Sequence, residues 1–270
     1  MTVVISVVSQ KGGVGKTTTA VNLASALAVS ERSVLLVDMD PQGNATSGLG
    51  MDKKRLLSSV YDLMTGQAEP GQTVQNTPIR FLKLLPAKMD LYRTEFELTA
   101  TAHKERVLAR LLNRLKGGYD YILVDSPPSL GLLTFNAVTA ADALVIPVQC
   151  GCYSLEAVEQ MMHVVRVIQQ RLNPGLIAGR LLVTLFDPQV PLCTELVDTL
   201  RGRFGETVFD TLIARDETLT QAGKYGGPAL LQDLDAPLTR DYFQLAREVL
   251  KMGPEEGDPQ AFKPWDVPQP

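Results

Sequence analysis

The sequence predicts an α/β fold, a doubly wound, mostly parallel sheet flanked by helices. Short β-branched runs alternate with longer segments in which apolar residues recur every three and four positions. Several of the short runs are apolar throughout, as expected for strands covered by helices on both faces. The chain has 270 residues, 45% of them apolar, which is enough for a complete hydrophobic core.

The order of these elements predicts one large domain. The predicted strands span residues 3–8, 33–37, 80–85, 121–124, 143–148, 181–185 and 208–213. The predicted helices span residues 17–29, 104–116, 155–172, 192–204 and 238–251. No linker rich in Gly, Ser or Pro divides residues 1–251. Residues 252–270 contain five prolines and four acidic residues, which predicts a disordered tail.

Composition argues against several classes of protein. Lys and Arg number 26 and Asp and Glu number 30, a net charge of −4, so the surface is not basic all over, although a local basic patch stays open. The longest apolar runs, such as residues 143–148, are far shorter than the ~20 residues of a membrane helix. The N-terminus has no charged start and no cleavage site. We therefore expect a soluble, cytoplasmic protein.

The three cysteines are too few for a disulfide framework, which fits a reducing compartment. A metal site at Cys150 and Cys152 is the alternative use of these thiols. It is disfavoured because Cys193 does not complete a second pair, and only His103 and His163 are present to help.

The most informative segment is a glycine-rich loop that follows the first predicted strand and opens the first helix. It reads Ser9-Gln10-Lys11-Gly12-Gly13-Val14-Gly15-Lys16-Thr17-Thr18. Glycines let backbone N–H groups surround phosphate oxygens, Lys16 neutralises the β- and γ-phosphates, and the Thr17 hydroxyl ligates Mg²⁺. The alternative is a glycine-rich turn with an incidental lysine. The order of strand, loop and helix favours a nucleotide site.

Two further strands end in carboxylates. Asp38 and Asp40 follow a buried-type strand, and Asp125 closes the strand at residues 121–124. Side chains at the carboxyl ends of parallel strands face the crevice where ligands bind. If the strand stays extended, the side chains of Asp38 and Asp40 emerge on the same side of it. The alternative is that each aspartate caps a turn or a helix. Asp125 is expected to coordinate Mg²⁺ through water, with residues 126–129 sensing the γ-phosphate.

The loop departs from the standard G-x-x-x-x-G-K-[ST] form, because Gln10 replaces the first glycine and Lys11 precedes the glycine pair. In this it resembles the deviant phosphate loop of the ParA/MinD family of P-loop ATPases. The likeness extends over residues 3–250 and is greatest to the Soj-like chromosomal ParA subgroup, which residues 42–50 and 146–150 also resemble.

The resemblance implies roles for the site residues. Lys11 reaches across a dimer to the partner's nucleotide, Lys16 binds the phosphates, and Asp40 orients or activates the attacking water. Asp38 supports the metal shell and the phosphate loop. The expected nucleotide-binding residues are Lys11, Gly12, Gly13, Val14, Gly15, Lys16, Thr17, Thr18 and Asp38, and Thr17 and Asp125 serve the metal. The alternative for Lys11 is a solvated loop cation.

The same resemblance implies an ATP- and Mg²⁺-dependent switch. ATP joins two copies into a homodimer, and hydrolysis, stimulated by a ParB-like or other partner, separates them. Such dimers bind DNA non-specifically on the nucleoid and partition DNA or position another cargo. Here Gln189 and Thr218 replace two arginines that the family uses for DNA contact. Each phosphate contact contributes about 0.9 to the slope of log affinity against log salt concentration, so the loss of two contacts makes this slope shallower by roughly two.

Three alternatives stay open. The first is a nucleotide-switched adaptor or polarity factor that recruits a protein without binding DNA. The second is a metabolic ligase or synthetase built on the same loop. In the third, Arg106, Arg110 and Arg114 form a stripe that replaces the lost phosphate contacts, although such stripes are more often solvated faces. Further candidates for a basic surface are Arg201, Arg203, Arg215 and Lys224.

The tail bears on membranes and partners. MinD-like relatives end in a basic amphipathic helix, whereas residues 252–270 are acidic and proline-rich, so we expect no membrane attachment. Phe262 and Trp265 are candidates for a short docking motif, although a single tryptophan in a tail is more often without such a role.

Overall fold

A computed structural model describes residues 1–151, 154–216, 227–231, 233 and 235–252. Its sheet has seven strands in the order β3-β4-β2-β5-β1-β6-β7. The strands are β1 (Val3–Val7), β2 (Val34–Asp38), β3 (Gln75–Asn76), β4 (Leu82–Leu85), β5 (Tyr121–Asp125), β6 (Ala143–Gln149) and β7 (Ala178–Thr184). All pairs are parallel except β3 with β4, which is a two-residue antiparallel edge.

Helices cover both faces of this sheet. They are α1 (Lys16–Val29), α2 (Asn44–Gly48), α3 (Val60–Met64), α4 (Pro70–Thr73), α5 (Thr94–Glu97), α6 (Val107–Asn113), α7 (Leu132–Ala140), α8 (Ser154–Arg171), α9 (Pro191–Phe204) and α10 (Pro237–Met252). The predicted fold class is therefore confirmed. Among the helices of the described residues, none combines the length and the apolarity that a membrane crossing requires.

The central strands are apolar on both sides because helices pack against both. Every residue of β1, β2 and β5 is buried. Alternate β1 residues belong to different cores: Val3 and Ile5 pack with α1 and α10, whereas Val4 packs with α3, α6 and α7. Continuous apolar runs therefore form strands here without an alternating pattern.

The register of the sheet brings the strand ends to one level. Val7 of β1 pairs with Asp125 of β5, and Asp125 pairs with Asp38 of β2. The glycine-rich loop follows β1 directly. The carboxyl edge of the sheet therefore collects the loop and the two aspartates, as expected for an open parallel sheet.

The predicted strand at residues 208–213 is wrong. This segment has one isolated bridge to β7, between Leu181 and Val208, and the amides of Phe209 and Ile213 donate to β7 carbonyls. The amides of Asp210 and Thr211 donate instead to the Glu248 carboxylate of α10, at 3.0 and 2.8 Å. Glu248 thus takes the two amides that lie between Phe209 and Ile213, and the pairing with β7 is interrupted there.

The predicted helix at residues 104–116 is shorter than expected. α6 covers only its middle, with 3₁₀ turns at Lys104–Arg106 and Lys116–Gly118. His103 has a left-handed backbone (φ 56°), and the Leu108 amide donates to Asn136 Oδ1 at 3.0 Å, which marks the start of the helix. The predicted tail lies outside the described residues, apart from Met252 at the end of α10.

Candidate functional site

The glycine-rich loop is shaped by left-handed backbone at Gly13 and Gly15, with φ of 75° and 82°. Only glycine adopts these angles without strain, so the loop turns its backbone toward the space above α1. No heavy atom lies within 4 Å of a Cβ placed on Gly12 or Gly13. The loop is therefore an open cradle at the N-terminus of a helix, where anions bind favourably.

Lys16, the first residue of α1, is buried although it carries an amine. Its Nζ donates to the Lys11 carbonyl at 2.9 Å. Burial lowers the pKa of Lys16, and the nearby Asp125 and Asp40 oppose that shift. The ammonium is thus held inside the loop, beside two carboxylates, in the position that suits a phosphate oxygen.

Asp125 lies one layer beneath the loop and is fully buried. Neither carboxylate oxygen has a hydrogen-bond partner of normal geometry within the described part of the chain. Burial raises the pKa of Asp125 well above its usual range, the negative charge of Asp38 adds to this, and the Thr17 hydroxyl and Lys16 oppose it. A buried carboxylate without a partner is costly unless a cation offsets it. Asp125 and Thr17 therefore fit a magnesium ion, and they are the residues that would hold it.

Asp38 and Asp40 make different hydrogen bonds just after β2. Asp38 Oδ1 accepts from the Asp40 amide at 3.1 Å, and Oδ2 accepts from the Thr46 amide and hydroxyl at 2.8 and 2.7 Å. Burial raises the pKa of Asp38 to about 6, against the effect of these hydrogen bonds. Asp40 Oδ1 accepts from the Gln42 amide at 2.9 Å. Asp38 thus fixes the turn that presents Asp40.

A cleft of about 410 Å³ opens above the loop. The predicted site residues that line it are Gly12, Gly13, Gly15, Lys16, Thr17, Thr18 and Asp40. Val14 and Asp38 do not line it, and Asp125 lies behind it. Pro128, from the segment expected to sense the γ-phosphate, also borders the cleft.

The opposite wall of the cleft was not predicted from sequence. It is built by Asn44, Thr184, Leu185, Ile213, Asp216 and Tyr242. Thr184 and Leu185 stand at the carboxyl end of β7, so the strand-end rule that indicated the aspartates also applies to them. Tyr242 comes from α10, and no local pattern marks it as a site residue.

Lys11 is exposed and does not line the cleft of its own chain. A Cβ placed on Gly151, between β6 and α8, would be 4.0 Å from its Nζ. Lys11 also borders a small second cavity with Ser9, Val14, Ser154 and Met161. The structure therefore separates the two loop lysines: Lys16 faces the cleft, and Lys11 faces the junction of β6 and α8.

The remaining candidate residues either do not line the cleft or lie outside the described residues. Arg106, Arg110 and Arg114 are exposed, and Arg114 Nη2 is paired with Glu69 at 2.6 Å. Gln189 is exposed after β7, and its amide donates to Asp187 Oδ1 at 2.9 Å. Arg201 and Arg203 donate to the Asp210 carbonyl and to Glu159. Thr218, Lys224, Phe262 and Trp265 lie outside the described residues.

Two of the three cysteines lie in the part of the chain that the structure describes. Cys150 and Cys193 are free thiols there, and no cluster of three His, Cys, Asp or Glu residues is present. Burial and the neighbouring Cys193 thiol raise the pKa of Cys150 to about 12. Cys152 lies outside the described residues.

Comparisons with known proteins agree with this geometry. Residues 2–178 match the AAA domain family. The chain is 42% identical over 250 residues to the sporulation initiation inhibitor protein Soj of Bacillus subtilis, covering 93% of this chain and 99% of that protein. It is 41% identical over 248 residues to the chromosome partitioning protein ParA of Myxococcus xanthus, covering 92% of this chain and 88% of that protein.

A solved structure with bound ATP analogue and magnesium is also similar. It is cobyrinic acid a,c-diamide synthase from Mycobacterium smegmatis, with a TM-score of 0.79 and 33% identity, covering 93% of this chain and 96% of that one.

Proposed function

Because this chain belongs to the ParA/Soj family of P-loop ATPases, we propose that it is a Mg²⁺-dependent ATPase whose ATP-bound homodimer partitions or positions DNA or another cargo. One observation carries the proposal. The buried Asp125, whose oxygens have no hydrogen-bond partner of normal geometry among the described residues, interacts with Lys16 and Thr17 beside an open glycine loop. Triphosphate and Mg²⁺ together supply the charges that this arrangement lacks.

The residues divide the chemistry between them. Backbone amides of residues 12–16 donate to phosphate oxygens, and the Lys16 ammonium pairs with the β- and γ-phosphates. Thr17 and Asp125 are the residues that would hold Mg²⁺, which would neutralise charge on the phosphate oxygens. Asp40 borders the cleft and is the carboxylate that orients the attacking water. Asp38 acts through Asp40, because it holds the Asp40 amide.

Lys11 is proposed to act on the nucleotide of a second copy. It is exposed, lies in the same loop as Lys16 and faces away from its own cleft. A lysine placed in this way contributes to triphosphate binding only when another subunit brings its nucleotide to it. ATP binding then favours the dimer, and hydrolysis, stimulated by a ParB-like or other partner, favours separation.

The mass of the protein in solution tests this switch. Wild type, Lys16→Ala, Lys11→Ala and the control Lys54→Ala, an exposed lysine outside the loop, are measured by light scattering with and without ATP and Mg²⁺. We expect wild type and Lys54→Ala to double in mass only with ATP. Lys16→Ala stays monomeric because it binds ATP poorly, and Lys11→Ala binds ATP but stays monomeric. An ATP-independent mass in wild type, or doubling in Lys11→Ala, contradicts the proposal.

Gln189 favours a second candidate function, an adaptor that does not bind DNA. It is exposed where the family carries an arginine, so one phosphate contact is missing. Duplex binding in the presence of ATP, measured over a salt series, separates the two functions. Strong binding that falls steeply with salt supports DNA partitioning on the nucleoid, and no binding supports the adaptor.

The similarity to a diamide synthase structure keeps a ligase as a third candidate. The partitioning relatives are more similar in sequence, at 41–42% identity against 33%. A screen for ATP-dependent amidation of small carboxylic acids tests the ligase, and absence of any amide product removes it.

A further inference from the structure

Thr184, the last residue of β7, is bonded to the phosphate loop. Its Oγ1 donates to the Val14 carbonyl at 2.9 Å, and the side chain is buried. A Cβ placed on Gly15 would lie 3.9 Å from both Cβ and Cγ2 of Thr184. Since β6 separates β7 from β1, this contact spans the carboxyl edge of the sheet. Thr184 therefore connects the loop to a strand that does not carry it.

The chain after Thr184 builds the opposite wall of the cleft. Leu185 has a left-handed backbone with φ of 53°, which is strained for a residue with a Cβ. Flanking bonds hold it there: the Phe186 amide donates to the Ile213 carbonyl, and the Ile213 amide donates to the Val183 carbonyl, both at 2.9 Å. Leu185 and Ile213 both line the cleft. Thr184 thus joins the opposite wall of the cleft to the phosphate loop.

We propose that Thr184 is a positioning residue that holds the phosphate loop in its nucleotide-binding shape. Gly15 has no Cβ and a left-handed φ of 82°, so the peptide between Val14 and Gly15 rotates at little cost. The Thr184 hydroxyl fixes the carbonyl of that peptide, and its methyl group packs against Gly15. Thr184 therefore keeps the loop amides oriented toward the phosphate-binding position. The expected effect of Thr184 on ATP binding rests on the proposed function. The expected effect of Thr184 on the conformation of the loop is independent of the proposed function.

Two substitutions separate the effect of the Thr184 hydroxyl from the effect of its methyl group. Thr184→Val keeps the shape and removes the donor, and Thr184→Ser keeps the donor and removes the methyl group. Thr73→Val is the matched control, because Thr73 is also buried and donates to a backbone carbonyl, that of Glu69 at 3.2 Å, away from the cleft. Each full-length variant is titrated with ATP and with ADP, and hydrogen exchange of residues 11–16 is measured without nucleotide.

We expect Thr184→Val to raise the dissociation constants of ATP and ADP alike, by about three- to tenfold, the effect of one hydrogen bond. KM rises by the same factor while kcat changes little, because the lost interaction is uniform. Loop amides exchange faster in Thr184→Val than in wild type. Thr184→Ser stays within about twofold of wild type, since it keeps that hydrogen bond. Thr73→Val changes neither binding nor loop exchange.

Two results overturn the inference: unchanged binding and loop exchange in Thr184→Val, or an equal loss of affinity in Thr73→Val, which marks a general effect of destabilisation. If wild type binds no ATP, the proposed function fails. Loop exchange still decides on Thr184 in that case, because faster exchange in Thr184→Val supports the positioning role and unchanged exchange refutes it.

Discussion

Asp38 Oδ2 accepts two hydrogen bonds from Thr46, one from its amide at 2.8 Å and one from its hydroxyl at 2.7 Å. The same hydroxyl accepts from the Ala87 amide at 3.0 Å. All of these groups are buried, so none exchanges its partner for water. Thr46 therefore links the end of β2, the start of α2 and the segment after β4, and it orients the carboxylate that holds Asp40.

Thr46→Val is expected to lower the free energy of unfolding by about 2–3 kcal/mol. The substitution removes the hydroxyl that donates to the buried Asp38 carboxylate, and it leaves the Ala87 amide without its acceptor. Urea denaturation measures this loss. Thr46→Ser keeps both hydrogen bonds and should lose less than half as much. Equal stability of Thr46→Val and wild type would contradict the role of this hydroxyl.

The raised pKa of Asp38 predicts a pH dependence of stability. Burial raises this pKa to about 6, above the ~3.9 of an unfolded chain. Between these values the folded state binds the proton more tightly, so the contribution of Asp38 to stability falls as the pH rises from about 4 to about 6. It stays lower above that range.

Denaturation of wild type and Asp38→Asn at several pH values isolates this contribution. Relative to the variant, wild type should lose about 2–3 kcal/mol of unfolding free energy between about pH 4 and pH 7. Acids that do not interact with Asp38 titrate alike in both proteins and cancel in the difference. Asp125 contributes to the difference, because the charge of Asp38 raises its pKa. Parallel pH profiles for the two proteins would show that Asp38 titrates normally.

The sequence predicts the phosphate side of the site because that side is local. The residues from Gly12 to Thr18 form one stretch that follows β1 and runs into the first turn of α1. Glycine, lysine and threonine in this order are typical of a phosphate-binding loop. Asp40 and Asp125 follow apolar strands, which sequence patterns also detect. The sheet topology confirms the predicted fold class, and the similarity to Soj confirms the predicted family.

The rest of the site depends on contacts between distant segments. Asp40 lines the cleft and Asp38 does not, and the Asp40 amide donates to Asp38 Oδ1 after β2 ends. Residues 208–213 look like a strand, but Glu248 of α10 takes two of their amides. Tyr242 reaches the cleft from the same helix. Spacing within a segment carries no information about such partners.

Asp125→Asn is expected to affect stability and metal binding in opposite directions. Without nucleotide, removal of a buried and unpartnered carboxylate should raise the free energy of unfolding by about 1–2 kcal/mol at pH ~8, where the charge is costliest. Affinity for Mg²⁺ in the ATP complex should fall by about 10–100-fold. The exposed Asp198→Asn is the control. Lower stability together with unchanged Mg²⁺ affinity would exclude a metal role for Asp125.

Asp40→Ala should uncouple binding from hydrolysis. Asp40 borders the cleft but is not part of the loop that holds phosphates, so ATP binding should change little. Single-turnover hydrolysis should slow by about 100-fold or more, the usual effect of losing a general base, and the ATP-bound dimer should persist. Hydrolysis at the wild-type rate would assign the water-orienting role to another group.

Gln189→Arg tests whether the missing arginine limits DNA binding. One added phosphate contact should steepen the dependence of log affinity on log salt by about 0.9 and strengthen duplex binding at low salt. Gln160→Arg adds the same charge on the exposed face of α8 and is the matched control. A steeper slope in Gln189→Arg alone places DNA next to residue 189. Equal slopes in both variants indicate only a general effect of charge, and no binding by either variant with ATP favours the adaptor over the partitioning function.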